Sequence, residues 1–127
     1  MTERFIINIS RFMLGGVYVL FGLNYFFSFM PMDALEREAA IRFMDGLHGS
    51  RYFFPFLKTV EVVMGLLLIS GFYSALALII LMPVTLNIFL FNLFLNPTSL
   101  PLALIMMIAH LYLAWVHKPY YKGLLKK

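Results

Sequence analysis

Among the polar side chains inside four long apolar stretches of this sequence, five could do chemistry. Lys58 and Glu61 are three residues apart in one stretch, and the others contain Asn24, Asn87 and His110, one in each. Ionisable groups within a membrane segment are costly and by default indicate function. A carboxyl group and an imidazole can accept or donate protons, and an amide can hydrogen-bond a ligand carbonyl. These five residues are therefore the candidate ligand-binding pocket.

The depth of these residues along their helices supports a common site. At about 1.5 Å of rise per residue, Asn24 and Asn87 lie roughly 12 Å from the outer ends of their segments. On the same scale Glu61 lies roughly 14 Å deep and His110 roughly 15 Å deep. We therefore expect these groups to meet around Glu61, in a polar pocket in the outer half of a bilayer. Lys58 shares a helix face with Glu61 and either pairs with it or extends toward water.

Each of these residues also has a purely structural interpretation. Asn24 and Asn87 could hydrogen-bond across helices, for about 1 kcal/mol or less. Lys58 and Glu61 could form an ion pair that fixes packing, and a lone histidine such as His110 is more often hydrogen-bonded in a core. The other two histidines make no metal-ligand spacing with it, and the sequence contains no cysteine. No metal site or disulfide is expected.

The elements that position these residues are predicted to be membrane helices. The chain is 62% hydrophobic and 13% charged, against about 45–50% apolar and about 25% charged residues in soluble domains. Residues 62–117 form a run of 56 residues without Asp, Glu, Lys or Arg, long enough for most of three spans of about 20 residues. The expected surroundings are a lipid bilayer. A nucleic-acid partner is excluded because no basic stripe is present.

The pattern predicts a single all-α domain over residues 1–127, an integral membrane four-helix bundle with antiparallel neighbours. The predicted spans are residues 12–30, 53–70, 74–95 and 100–116. Tight, uncharged turns separate the last three spans, so consecutive helices must be adjacent. Pro83 lies inside the third span, where a membrane helix tolerates proline with a kink.

One sizeable extramembrane segment, residues 31–51, separates the first two spans. We expect a short surface helix here from Met32 to Met44, capped by Asp33 and ending near Gly46. The alternative is a solvated connector. The apolar side of the expected helix consists of Leu35, Ala39, Ile41 and Met44.

The distribution of Lys and Arg predicts the orientation. Six basic residues lie on the side that carries both termini, and three lie in the segment 31–51 together with four acidic residues. The positive-inside rule then places both termini in the cytoplasm and the surface helix outside. The expected location is a cell membrane, specifically a bacterial inner membrane.

Two segments of the first two spans have a distinctive pattern. One is Gly22-Leu23-Asn24-Tyr25-Phe26-Phe27, late in the first span. The other runs from Lys58 through Glu61 to Gly65 and contains a basic residue, a glutamate and a glycine. Both segments resemble the DoxX-like family of small four-helix membrane proteins, whose second helix has this basic residue, glutamate and glycine. The third span, with Pro83, Asn87 and Phe91, fits one subgroup of the family. The architecture of nearly the whole chain is similar to that of this family.

The resemblance implies a redox-associated role. Founding members of the family look like small subunits of a thiosulfate:quinone oxidoreductase, and distant relatives assist the assembly of membrane receptors. The corresponding hypothesis is an accessory subunit that holds a quinone or another lipophilic ligand and is not a complete enzyme on its own, since no cofactor motif is present. The alternative is a non-catalytic assembly factor or interaction subunit, whose surface segment meets a membrane-protein partner. The expected partner is another membrane protein or a second copy of this chain in a homo-oligomer.

Overall fold

The computed structural model describes residues 2–31 and 35–125 of the chain, and within them all regular structure is helical. Four of the helices in this part of the chain are long and apolar enough to cross a membrane. The predicted all-α fold with four membrane-spanning helices is therefore confirmed. The helices are α1 (Thr2–Phe27), α2 (Glu38–Gly49), α3 (Phe53–Ser70), α4 (Ser74–Phe94), α5 (Leu100–Val116) and α6 (Lys118–Leu125), with a 3₁₀ turn, Pro97–Ser99, before α5.

The four long helices contact one another in a closed order. Helix α1 packs against α3 and α5, and α4 packs against the same two helices. The interface between α1 and α3 is the most extensive. Large apolar side chains that face away from these contacts remain exposed, for example Leu66, Ile105 and Ile108. Such an exterior requires lipid as its solvent.

Glycines bring the backbones of α1 and α3 together. A methyl group at Gly15 would lie 2.8 Å from the carbonyl oxygen of Gly65, and one at Gly65 would lie 2.8 Å from that of Gly15. A methyl group at Gly22 would lie 3.1 Å from the Lys58 carbonyl oxygen. Small residues at these positions therefore permit the close approach expected of membrane helices. Gly16 differs, since it faces open space.

Helix α1 differs from the predicted first span at both ends. It begins at Thr2 because the amphipathic residues before Phe12 continue the same helix. It ends at Phe27 instead of Met30, because Ser28 adopts a left-handed conformation with φ of 50°. The Asn24 side chain stabilises this ending, since its Oδ1 accepts a hydrogen bond of 2.7 Å from the Met30 amide.

The surface helix α2 exists but begins later than predicted, at Glu38. The expected start and cap, Met32 and Asp33, lie outside the described residues. Ala39 and Ile41 are exposed, contrary to the predicted apolar side. The inward stripe follows the helical spacing i, i+3, i+4 and i+7 from Ala40, and Ala39 and Ile41 lie off it. The side chains of this stripe are Ala40, Phe43, Met44 and Leu47.

The end of α3 is capped by α1. Gly71 adopts a φ of 87°, which ends α3 in the left-handed conformation that glycine tolerates. The Arg11 guanidinium donates to the carbonyl oxygens of Leu68, at 2.7 Å, and Ile69, at 3.2 Å. These carbonyls lie in the last turn of α3, where no helical amide reaches them, and a cation is favoured there.

The sequence reasoning did not anticipate α6. This short helix follows α5 directly, and the Tyr121 hydroxyl donates a hydrogen bond of 2.8 Å to the Ala75 carbonyl oxygen in α4. Partial burial raises the pKa of this Tyr121 phenol above its usual value.

The core lies in the half of the molecule away from α2. Its fully buried members include Leu14, Leu68, Leu81 and Leu113. Toward α2 the helices enclose clefts instead. The fold thus combines a packed half that fixes the helices with an open half beneath α2.

Candidate functional site

A cleft of about 750 Å³ lies between the long helices on the side nearest α2. Its walls are mainly apolar and aromatic, with Phe21, Phe54, Phe91, Leu102 and Met106 among them. Residues of α2 cover it, and Phe43 of α2 packs its ring 5.4 Å from that of Phe91. Pockets for small ligands are typically of this size, apolar and lined by a few polar groups.

Glu61 is the most deeply buried acidic residue along this cleft, with an exposed fraction of 2%. Its Oε2 lies 3.0 Å from Nζ of Lys58, which is itself largely buried. The two charges therefore pair, as the spacing of three residues suggested. Apart from Lys58, Oε2 has no hydrogen-bonding partner among the described residues. A buried carboxylate usually has all its acceptor positions occupied, so this atom has unused acceptor capacity.

Helix α1 sets the position of this pair. The Gly22 backbone lies against the turn of α3 that begins at Lys58. Close approach to α1 at Gly65, one turn beyond Glu61, fixes the other end of the same segment. The carboxylate is thus placed by backbone contacts, which are more rigid than contacts between long side chains.

A row of hydrogen bonds crosses the molecule next to the cleft. Tyr18, which lines the cleft, hydrogen-bonds through its hydroxyl to the hydroxyl of Thr85. Thr85 Oγ1 lies 2.8 Å from Nδ1 of His110, and Nε2 of His110 lies 2.9 Å from the Leu78 carbonyl oxygen. The side chains of Tyr18, Thr85 and His110 are each at most 1% exposed. This row links α1, α4 and α5.

The structure places the five predicted residues in different surroundings. Glu61, Lys58 and Asn87 line the cleft. His110 does not, because its ring is occupied by Thr85 and Leu78, and it corresponds to the hydrogen-bonded core histidine that was the alternative interpretation. Asn24 caps the end of its own helix. The expected meeting of all of these groups around Glu61 therefore does not occur.

A second cleft, of about 620 Å³, lies beside the first. Asn24 lines it together with Tyr25, Ile41 and His48. Lys58 lines both clefts. Lys58 therefore lies at their boundary.

Sequence reasoning missed three polar residues of this region, Tyr18, Thr85 and Asn92. Asn92 lines the cleft but uses one amide proton on the Ile88 carbonyl oxygen of its own helix, at 2.8 Å. A signal for Tyr18 was available, because it lies on the same helical stripe as Gly15 and Gly22, which face α3. Asn92 carried the same signal as Asn87, since both amides lie inside the predicted third span, whereas no comparable pattern identifies Thr85.

Comparison with models of known protein families identifies the family of this chain. A family model described as DoxX matches residues 6–92. The chain belongs to the DoxX family. The match confirms the resemblance seen in the first two spans, and it includes the segment from Lys58 to Gly65. Comparison of this DoxX protein with curated proteins and with solved structures gives no match.

Proposed function

We propose that this DoxX-family membrane protein holds a lipophilic molecule with a polar head group in the cleft beside Glu61. The observation that carries the proposal is the buried Glu61–Lys58 pair at an apolar cleft, in which Glu61 Oε2 has no hydrogen-bonding partner besides Lys58 among the described residues. Burying two charges costs more than packing apolar side chains of the same volume. A ligand that hydrogen-bonds the carboxylate accounts for retaining them.

The lining of the cleft supports a ligand with a ring and an apolar tail. Aromatic side chains from α1, α3 and α4 line it, namely Phe21, Phe54 and Phe91. Such walls favour an aromatic head group by stacking and edge contacts. A quinone-type molecule combines this ring with the lipid solubility that a membrane site requires.

The proposed role is that of a redox-associated accessory subunit. The polar groups that line the cleft could bind the ring of a ligand. A partner protein would have to supply or remove the electrons. We further propose that α2 lies on the outer side of a cell membrane and both termini lie in the cytoplasm, because the terminal side carries more Lys and Arg. The ligand would then occupy the outer half of the bilayer.

Native mass spectrometry in mild detergent tests ligand retention. The wild-type protein is expected to carry a small lipophilic mass, and Glu61→Gln, which removes the charge at nearly constant volume, is expected to lose it. The matched control is Glu38→Gln, because Glu38 pairs with Arg42 on the exposed surface of α2. Equal retention of a small molecule by wild type and Glu61→Gln contradicts the proposal.

A second role, as a non-catalytic assembly factor, is favoured by one feature of α2. Ile41 is 40% exposed on this helix, beside the exposed pair of Glu38 and Arg42. An apolar side chain next to charges suits contact with another membrane protein. Under this role, Ile41→Ser should reduce co-purification of a partner by at least half, while the retained small molecule is unchanged. Equal co-purification of a partner by the wild-type protein and by Ile41→Ser argues against the assembly-factor role.

A further inference from the structure

We infer that α6 and the last turn of α5 bind the anionic head group of a phospholipid, in the leaflet on the side of the termini. This region lies at the opposite end of the molecule from the cleft, so the inference does not depend on the ligand proposed there. It rests on an exposed pair of lysines, on the aromatic and apolar side chains around them, and on the charge of this end of the protein.

The lysine pair consists of Lys118 and Lys122, which are one helical turn apart on α6 and both exposed. Within residues 2–31 and 35–125, neither lysine forms an ion pair with a carboxylate. The sequence has no Asp or Glu after Glu61, so no acidic side chain of α5 or α6 can neutralise them. Like charges four residues apart destabilise a helix. An anion that contacts both ammonium groups would remove this repulsion.

The end of α5 adds an aromatic ring to the lysine pair. Nζ of Lys118 lies 5.2 Å from the centroid of the Trp115 ring, and Trp115 itself is 60% exposed. The ring attracts the ammonium group and holds it over its face. Tryptophan is enriched where a membrane helix meets the water interface. The lysine pair therefore belongs at the depth of the phospholipid head groups.

The other flank of α6 is apolar. Tyr120 and Leu124 are also one turn apart, lie opposite the lysine pair by helical spacing, and are exposed. Between the two flanks, the Tyr121 hydroxyl donates a hydrogen bond of 2.8 Å to the Ala75 carbonyl oxygen and ties α6 to α4. A helix with a lysine flank and an apolar flank is typical of the membrane interface, where the apolar side chains contact acyl chains.

The charge of this end favours an anionic lipid over a zwitterionic one. In the sequence, the segments on the side of the termini contain six basic residues and one acidic residue, Glu3. Basic residues near a membrane surface attract anionic lipids. A zwitterionic head group brings a positive charge together with its phosphate and gains less. A soluble anion would gain nothing from the apolar flank of Tyr120 and Leu124.

Fluorescence of Trp115 tests the inference, because this residue is the only tryptophan in the sequence. The full chain is reconstituted in bilayers of phosphatidylcholine and phosphatidylglycerol, and the acyl chains of one lipid at a time carry bromine, which quenches a ring in contact with it. At low salt, phosphatidylglycerol is expected to associate with Trp115 about fivefold more strongly than phosphatidylcholine. Equal association of the two lipids would overturn the inference.

Substitutions of the lysine pair locate the preference. Lys118→Gln combined with Lys122→Gln should reduce it from about fivefold to near equality, and Lys122→Gln alone, which leaves Lys118 on the Trp115 ring, should reduce it to about twofold. Lys118→Arg combined with Lys122→Arg keeps both charges and should keep the preference. The matched control is Arg42→Gln, at an exposed position on α2. A preference that persists in the double glutamine variant, or that falls equally in Arg42→Gln, overturns the inference.

Inorganic phosphate distinguishes a lipid site from a site for a soluble anion. The quenching measurement is repeated in sodium phosphate and in sodium chloride at the same ionic strength, since salt screens both cases alike. The same preference in the two salts supports a phospholipid site. A preference abolished by phosphate alone shows that a free anion occupies the lysine pair, and it overturns the inference.

Discussion

Substituting alanine at two adjacent glycines should affect the stability of this protein in opposite directions. Gly15 and Gly16 lie at the same depth of α1, but only Gly15 faces α3. The added methyl group of Gly15→Ala would lie 2.8 Å from the Gly65 carbonyl oxygen and 2.8 Å from Cγ1 of Ile69. At Gly16 the same methyl group meets nothing within 4 Å.

The size of the effect follows from these distances. Carbon and carbonyl oxygen ordinarily approach to about 3.3 Å, so the helices must separate by roughly 0.5 Å or more in Gly15→Ala. The obstacle at Gly65 is backbone, which cannot rotate away as the Ile69 side chain can. Overpacking of this kind costs about 1–3 kcal/mol, of which the better helix propensity of alanine returns roughly 0.5–1 kcal/mol.

We therefore expect Gly15→Ala to lower the free energy of unfolding by about 1–2 kcal/mol. Gly16→Ala should leave it unchanged or raise it by up to about 1 kcal/mol. Titration of micelle-embedded protein with a denaturing detergent, followed by circular dichroism, measures both. Equal destabilisation by the two substitutions, or none by Gly15→Ala, would refute the close α1–α3 contact.

Two further predictions concern the connections at the end away from α2. Arg11→Met should lower the free energy of unfolding by about 1–3 kcal/mol, because it removes the donors to the last carbonyls of α3. Arg4→Met in the exposed start of α1 serves as the control, and similar losses for both would contradict the capping role. Tyr121→Phe should increase amide hydrogen exchange in α6 by about fivefold, since it removes the bond of about 1 kcal/mol to Ala75. Tyr120→Phe, at a side chain that is 73% exposed, should change exchange little, and equal changes would show that the Ala75 bond does not hold α6.

The spans were predictable to the extent that sequence marks their ends. Helices α3 and α5 begin and end where predicted because turn residues such as Gly71 interrupt an uncharged apolar run. Helix α1 has no such interruption at its start, so its polar first turns could not be separated from the span. Its end depends on Asn24, whose capping of the Met30 amide is a tertiary geometry that no spacing rule expresses.

The site was predictable in depth but not in direction around each helix. Rise per residue places Glu61 and His110 on similar levels, yet depth alone does not determine which neighbour each one faces. Lys58 was assigned to the face of Glu61 because both residues share one helix, where spacing does determine direction. The neighbours that Thr85 and His110 contact depend on how α4 and α5 are rotated about their axes. Because both helices are apolar on all sides, their sequences do not indicate that rotation.

The glycine contacts of α1 and α3 also have a consequence for the order of assembly. All residues of this interface precede α4 in the chain, including Gly65 and the Arg11 cap on Leu68. Independently inserted membrane helices can associate by packing once they are in the bilayer. The hairpin of α1 and α3 can therefore form while the ribosome is still synthesising the second half of the protein. The row of Tyr18, Thr85 and His110 is complete only when α5 arrives, so the hydrogen bonds that link α1, α4 and α5 form after the α1–α3 contact can already exist.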